Sequence, residues 1–249
     1  EADRMFNMGF LPDIRKILRH VPAKRQTLLF SATMPDDIRQ LAQDVLHSPV
    51  TVEVNPSAPA CTVDHALYPV EPHLKTELLL ELLRHTDTKS VLIFTRTKHR
   101  ARRVGQQLER AGLRAASLQG NLSQKQRQAA LDGFRDGRYQ VLVATDIAAR
   151  GIDVSLISHV INYDMPDTAD AYTHRIGRTG RAEKTGDAFT FTTREDGAMV
   201  RSIERVLGKK VECRSVPGFN YRKPAAAGDR EFARRPQEMA HRGRKRWMA

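Results

Sequence analysis

The chain has 249 residues, enough for one large domain or two modest ones with real cores, and Lys and Arg exceed Asp and Glu by 41 − 29 = 12. An excess of that size favours a polyanionic partner, nucleic acid first and an acidic membrane surface second. No apolar run approaches the eighteen or so residues of a membrane span and no secretory leader opens the chain, so the reading is of a protein with no membrane partner. Cys61 and Cys213 are far apart and lack metal-ligand spacing, which reads as two reduced thiols in a cytoplasmic protein with no metal centre. A first residue of Glu rather than Met suggests a fragment or a processed chain.

Residues 1–54 read as helix, strand, helix, strand. Ile14, Ile17, Leu18 and Val21 fall at helical spacing behind Pro12, which suits a first helical turn. Thr27 to Ala32 is a short apolar run of strand type. Ile38, Leu41, Ala42, Val45 and Leu46 mark a second amphipathic helix, opened by Pro35 and two acidic residues that suit its positive end. Val50 to Val54 reads as a strand. So few elements look like the tail end of a larger α/β domain.

Residues 55–62 carry two prolines among small residues and read as a linker. From 63 to 217 short strands alternate with longer helices. The strands are expected at Val63 to Val70, Ser90 to Phe94, Ala115 to Leu118, Gln140 to Ala144, His159 to Asn162 and Asp187 to Thr192. The helices are expected at Leu74 to Arg84, Lys98 to Ala111, Gln124 to Phe134, Ala169 to Ile176 and Ala198 to Leu207. This alternation predicts an α/β fold, a mainly parallel sheet flanked by helices, with ligands beyond the carboxyl ends of the strands. After Pro217 the apolar periodicity stops. Residues 218–249 read as a basic tail, disordered when free and RNA-binding; from Arg222 to Ala249 nine Lys or Arg face three Asp or Glu.

The most specific stretch is His174-Arg175-Ile176-Gly177-Arg178-Thr179-Gly180-Arg181. On a helix at about 100° per residue, His174, Arg178 and Arg181 project within about 60° of one another, and Arg175 points elsewhere. The two glycines cost a helix roughly 1 kcal/mol each, which suggests close approach of another surface to clustered guanidiniums. Arginines held in this way stabilise charge on a transferring phosphoryl group. A second stretch, Thr145-Asp146 to Gly151-Ile152-Asp153, follows an expected strand. Thr145 and Gly151 suit phosphates and Asp153 suits a ribose, although a lone Thr-Asp pair there is more often a helix cap.

These residues resemble the DEAD-box RNA helicase family, and further landmarks follow in family order. Glu1-Ala2-Asp3 looks like the last three letters of the Asp-Glu-Ala-Asp signature, followed by Arg4-Met5-Phe6 and Met8-Gly9-Phe10. Ser31-Ala32-Thr33 stands at the expected distance, Leu92 to Thr97 resembles the fourth motif, and Gln124 with Arg127 the Gln-x-x-Arg signature. The phrase set looks closest to the bacterial RhlE-type branch.

The resemblance implies two RecA-like units, of which residues 1–54 would be the end of the first and 63–217 the second. It implies ATP with Mg²⁺ as cofactor and RNA as partner. Glu1 would orient and activate the attacking water. Asp3, Ser31, Thr33 and His174 would link hydrolysis to domain closure. Arg178 and Arg181 would be the arginine fingers, with Gly151 and Asp153 at the nucleotide. Thr145, Gln124, Arg127, Gly120 and Asn121 are implied at the RNA backbone, as are Arg96 and Thr97, and Arg175 is expected to be structural.

Three departures matter. The acidic residue before Glu1 that the family uses for Mg²⁺ is absent, Gln119 stands where the family often has His, and the 249 residues contain no Gly-x-x-x-x-Gly-Lys-Ser/Thr loop. The chain by itself is therefore expected not to hydrolyse ATP. Two other readings stay open on sequence alone: a non-catalytic RNA-binding module and a DNA-translocating helicase.

Overall fold

The computed structural model describes residues 2–7, 9–31, 33–53, 63–149, 157–180 and 185–225, with backbone only for Arg4, Phe6 and Asn7. The chain divides into two compact units, Glu1–Asn55 and Pro56–Ala249.

In the first unit three helices form: α1 (Ala2–Asn7), α2 (Leu11–His20) and α3 (Asp36–Val45). Pro12 falls in the first turn of α2, and Asp36 and Asp37 stand at the positive end of α3. The two expected strands do not pair: the described residues of Thr27 to Ala32 and Val50 to Val54 join no sheet. Leu28, Phe30, Val50 and Val52 are largely exposed, at 68%, 74%, 89% and 79%. An apolar run becomes a strand only when a neighbouring strand takes up its N–H and C=O groups in a ladder; here the Ala2 amide donates to the Phe30 carbonyl at 3.1 Å, and no ladder forms among the described residues of these runs.

Among the described apolar residues of this unit only Ile38, Leu41 and Ala42 are buried. So thin a core opens easily. Amide hydrogen exchange on the 249-residue chain is expected to be fast throughout residues 11–46 and slow in Val91–Phe94 and Val141–Ala144. Equal protection in the two units would contradict this.

The second unit is built on seven parallel strands: β1 (Val63–Pro69), β2 (Val91–Phe94), β3 (Ala115–Leu118), β4 (Val141–Ala144), β5 (His159–Asn162), β6 (Gly186–Thr192) and β7 (Glu212–Cys213), in the order β3-β4-β2-β5-β6-β1-β7. Its helices are α4 (Lys75–His85), α5 (Lys98–Arg110), α6 (Gln124–Arg135), α7 (Ala169–Ile176) and α8 (Gly197–Leu207). Every residue of β2, β4 and β5 is buried, and β2 and β4 are the continuous apolar runs that a sheet covered on both faces requires. Alternate residues serve the two faces. Val91, Ile93, Val141 and Val143 pack with Leu78, Leu82, Val104 and Leu108 of α4 and α5. Leu92, Phe94, Leu142 and Ala144 pack with Ala130 and Phe134 of α6.

Helix starts are marked chemically. The Thr97 hydroxyl accepts from the Arg100 amide, Thr168 caps α7, and Ser123 and Gln126 form a reciprocal capping box on α6.

Two features lie outside the sequence expectation. The two-residue edge strand β7 is too short to carry a periodic signal. The fold also continues past the expected boundary at Pro217. Phe219 and Tyr221 stack edge-to-face at 4.8 Å and pack against the core, the Val216 amide donates to the Tyr221 hydroxyl at 2.9 Å, and Lys223 pairs with Glu77 at 2.9 Å. Three anchors spread over eight residues leave no repeat to read.

Candidate nucleotide and nucleic-acid site

In the first unit, residues 28 and 30 positions apart meet. The Asp3 amide donates to the Ser31 hydroxyl at 3.1 Å, that hydroxyl donates to the Thr33 carbonyl at 2.7 Å, and the Thr33 hydroxyl donates to an Asp3 carboxylate oxygen at 2.7 Å. Asp3, Ser31 and Thr33 therefore act as one bonded group. Glu1 lies outside the described residues, as do Gly151, Asp153 and Arg181.

In the second unit the strand order decides the geometry. Because β3, β4 and β2 are adjacent and parallel, the segments leaving their carboxyl ends emerge side by side. These segments hold Gly120 and Asn121 after β3, Thr145 after β4, and Arg96 and Thr97 after β2. Gln124 opens α6 and is exposed, and Arg127 one turn later donates to the Ala148 carbonyl at 2.9 Å, tying α6 to the turn after β4. Lys98 donates to the Asn121 side chain at 3.0 Å, and the buried Gln119 side chain accepts from the Asn121 amide at 2.8 Å. Gln119 thus shapes the Gly120-Asn121 turn in place of a histidine.

Some candidate hydroxyls already have local duties. Thr97 caps α5, and the Thr145 hydroxyl accepts from the Ala148 amide at 3.4 Å. Arg96 keeps a half-exposed guanidinium, reaching the Met165 carbonyl at 3.3 Å and Asp167 at 3.5 Å.

The expectation that His174, Arg178 and Arg181 share a helical face is corrected by the end of α7 at Ile176. Gly177 caps that helix, Arg178 lies in the turn beyond it, and Gly180 adopts a left-handed backbone at φ 65°. Backbone geometry, rather than the approach of another surface, accounts for Gly180. Thr179 then pins the chain, its hydroxyl donating to the Ile157 carbonyl at 2.6 Å and to that of Ser158 at 3.1 Å. Those residues lead into β5, so the turn that holds Arg178 and Thr179 is tied to the amino end of that strand.

Gly186 makes this elbow possible. A Cβ there would fall against the Thr179 hydroxyl and 2.6 Å from the Gly180 amide nitrogen. Gly186→Ala is expected to cost about 1–3 kcal/mol and to shift the elbow. Hydrogen exchange at the Ser158 and Asp187 amides reports the change, and unaltered protection there would refute it.

Arg175 is buried, as expected of a structural residue. Its guanidinium grips both Asp146 carboxylate oxygens at 2.7 Å and donates to the Asn162 side chain at 3.1 Å and the Asp164 carbonyl at 2.8 Å. It also lies 5.1 Å from the centre of the Phe94 ring.

Sequence reasoning missed a second charged hub. The Asp164 carboxylate accepts from Arg100 at 2.8 Å, from the Arg96 amide at 2.9 Å and from the buried Lys75 at 3.4 Å. Burial pulls the Lys75 pKa below its ordinary value, and Asp164 works against that. The position of Asp164, two residues beyond β5 at the carboxyl edge, was a usable signal. Lys75 offered none, because a lysine opening a helix ordinarily stands in solvent.

Residues 74–183 match the family described as "Helicase conserved C-terminal domain", and residues 1–41 match "DEAD/DEAH box helicase". The crystal structure of Escherichia coli DEAD-box protein SrmB bound to regulator of ribonuclease activity A is similar at 33% identity and TM-score 0.61, over 66% of this chain and 97% of that one. The chain belongs to the DEAD-box RNA helicase family.

A curated DEAD-box relative, ATP-dependent RNA helicase RhlB of Pseudomonas putida, is 44% identical over 87% of this chain and 55% of its own length. Saccharomyces cerevisiae Dbp5 bound to RNA and ADP BeF3 matches with a TM-score of 0.76 at 30% identity, over 87% of this chain and 58% of that one. This DEAD-box chain spans about half the length of the curated relatives it matches. Its parallel sheet is the RecA-like α/β fold of the family.

Proposed function

We propose that this chain supplies the second RecA-like unit and the end of the first to an ATP-dependent RNA helicase that couples ATP hydrolysis to RNA binding and local duplex opening. One observation carries the proposal. The candidate RNA residues Arg96, Asn121, Gln124, Arg127 and Thr145 follow the carboxyl ends of β3, β4 and β2, while Thr179 ties the turn after α7 to the amino end of β5. A coupled machine needs separate surfaces for its polyanion and its nucleotide, and this arrangement supports that reading.

In this reading Arg178 and Arg181 reach the γ-phosphate, Asp153 and Gly151 meet the nucleotide, and Glu1 orients the attacking water. The bonded group of Asp3, Ser31 and Thr33, together with His174, transmits closure. Mg²⁺ would accompany the nucleotide. Among the described residues no three His, Cys, Asp or Glu side chains converge on a metal position. The RhlE-type branch, a cytoplasmic location and a basic RNA-binding tail belong to the same proposal. The RNA bound to Dbp5 in the similar yeast structure supports RNA over DNA.

The expected result is RNA binding without ATP hydrolysis by the 249-residue chain, since no phosphate-cradling loop occurs in it. The full-length protein should open a short RNA duplex with ATP. Sustained phosphate release from the 249-residue chain that Arg178→Ala abolishes would contradict the first expectation. A full-length protein inert on RNA with ATP would overturn the second.

A further inference from the structure

Beside the candidate RNA edge lies a groove between α4 and α5 that no role described so far uses. It encloses about 350 Å³ and is lined by His73, Thr97, His99, Arg100, Arg103 and Tyr163, among others. Among the described residues that line it, none is acidic. That volume is near the lower end for small-ligand sites, roughly 300–1,000 Å³, and suits a single nucleotide unit better than a whole cofactor.

Three observations connect the groove to the edge. Thr97 belongs to both, and its neighbour Lys98 bonds Asn121 across the carboxyl ends of β2 and β3 at 3.0 Å. The groove lies beyond the carboxyl ends of β1, β2 and β5: Tyr163 directly follows β5, and Thr97 and His73 stand in the short segments after β2 and β1. Its polar lining is also held in place. The Tyr163 and Thr76 hydroxyls lie 2.9 Å apart, Thr76 donates to the Gln107 side chain at 3.4 Å, and Asp164 fixes Arg100. Preset donors lose little freedom when a ligand arrives.

The far rim is formed near the last described residues. His73 Nε2 lies 2.8 Å from the Lys223 carbonyl, and Lys223 grips Glu77 with two contacts of 2.9 Å. The residues that follow, 224–249, carry seven Lys or Arg against three Asp or Glu. A strand passing along the carboxyl edge therefore meets cations first at the edge, then in the groove, then where the basic tail begins.

We infer that the α4–α5 groove is a second phosphate site for the same RNA strand, taking the backbone after it leaves the β3-β4-β2 edge. The inference rests on the proposed RNA function and adds the path. Arg103 is the residue to test, because it lines the groove and is exposed on α5, and substituting it leaves the Arg100–Asp164 pair in place. Binding of the 249-residue chain to single-stranded RNAs of about six and about twelve nucleotides, at several salt concentrations, separates edge from groove.

Arg103→Gln is expected to weaken binding of the longer RNA about three- to tenfold and to flatten its log affinity against log salt slope by about 0.7, the value of one phosphate contact on a single strand. The shorter RNA should be unaffected, and Arg103→Lys should restore most of the loss. Equal loss on both lengths, or none on either, overturns the groove and leaves the edge. An acidic peptide that binds the unaltered chain and not Arg103→Gln, with no length effect on RNA, assigns the groove to a protein partner and also overturns it. Failure of the unaltered chain to bind either RNA overturns this inference together with the function beneath it.

Discussion

In the full-length protein, Arg178→Ala is expected to lower ATP turnover by roughly 10³-fold or more while leaving nucleotide-free RNA affinity within about twofold, the scale of a finger arginine acting only on transferring phosphate. The structural reason for the separation is the elbow. The Arg178 amide donates to the Arg175 carbonyl at 3.1 Å, and the Thr179 hydroxyl fastens the next residue to the strand-entering carbonyls of Ile157 and Ser158. The backbone under the guanidinium is thus set by the sheet, and deleting the side chain need not disturb the carboxyl edge. Arg178→Lys should recover little, because a point charge does not reproduce a planar fork. Thr145→Ala at the RNA edge should show the opposite pattern, weaker RNA binding with a smaller loss of turnover at saturating RNA. Near-normal turnover of Arg178→Ala would move that residue to a structural role. Parallel loss of RNA affinity would mean the two surfaces are one.

The second large effect is on stability. Arg175→Ala is expected to destabilise the second unit by about 3 kcal/mol, the low end of the cost of breaking a buried ion pair. The low end applies because the Asp146 side chain keeps 35% exposure whereas that of Arg175 has 3%. Water can resolvate the carboxylate, but not the Asn162 side chain or the Asp164 carbonyl that lose their donor. Arg175→Lys keeps the charge without the bidentate grip and should fall between the two. Exchange of the deepest amides in β4 and β5 reads this directly: about 3 kcal/mol is a roughly hundredfold fall in protection. Protection equal to that of the unaltered chain would remove Arg175 from the framework.

Most of the second unit is legible in the amino-acid sequence. β3, β5 and α7 have the bounds that apolar runs and helical spacing predict, and the other expected strands and helices there differ by one residue at one end or both. The arginine-rich stretch and the Gln-x-x-Arg pair are legible as well, because they are contiguous and unusual in composition. The first unit reads less well, since strandlike runs around Leu28 and Val52 specify pairing only when a partner strand is at hand.

What the sequence determined by itself is whatever a dozen neighbouring residues can encode: a buried strand as an unbroken apolar run, a helix as a 3.6-residue period with its cap, a polyanion partner as excess charge. What only the tertiary structure decided is which distant groups meet. Arg175 finds Asp146 29 positions away, Lys75 finds Asp164 across 89, and Lys223 finds Glu77 across 146. The end of α7 belongs to the same class. A helical wheel extends His174 to Arg181 without limit, and the turn at Gly177 is held in place by the carbonyls ahead of β5, which Thr179 reaches only once the strands have assembled. The physical reason is that hydrogen bonds and ion pairs act over a few ångströms in space, and separation along the chain does not report that distance until the sheet has set it.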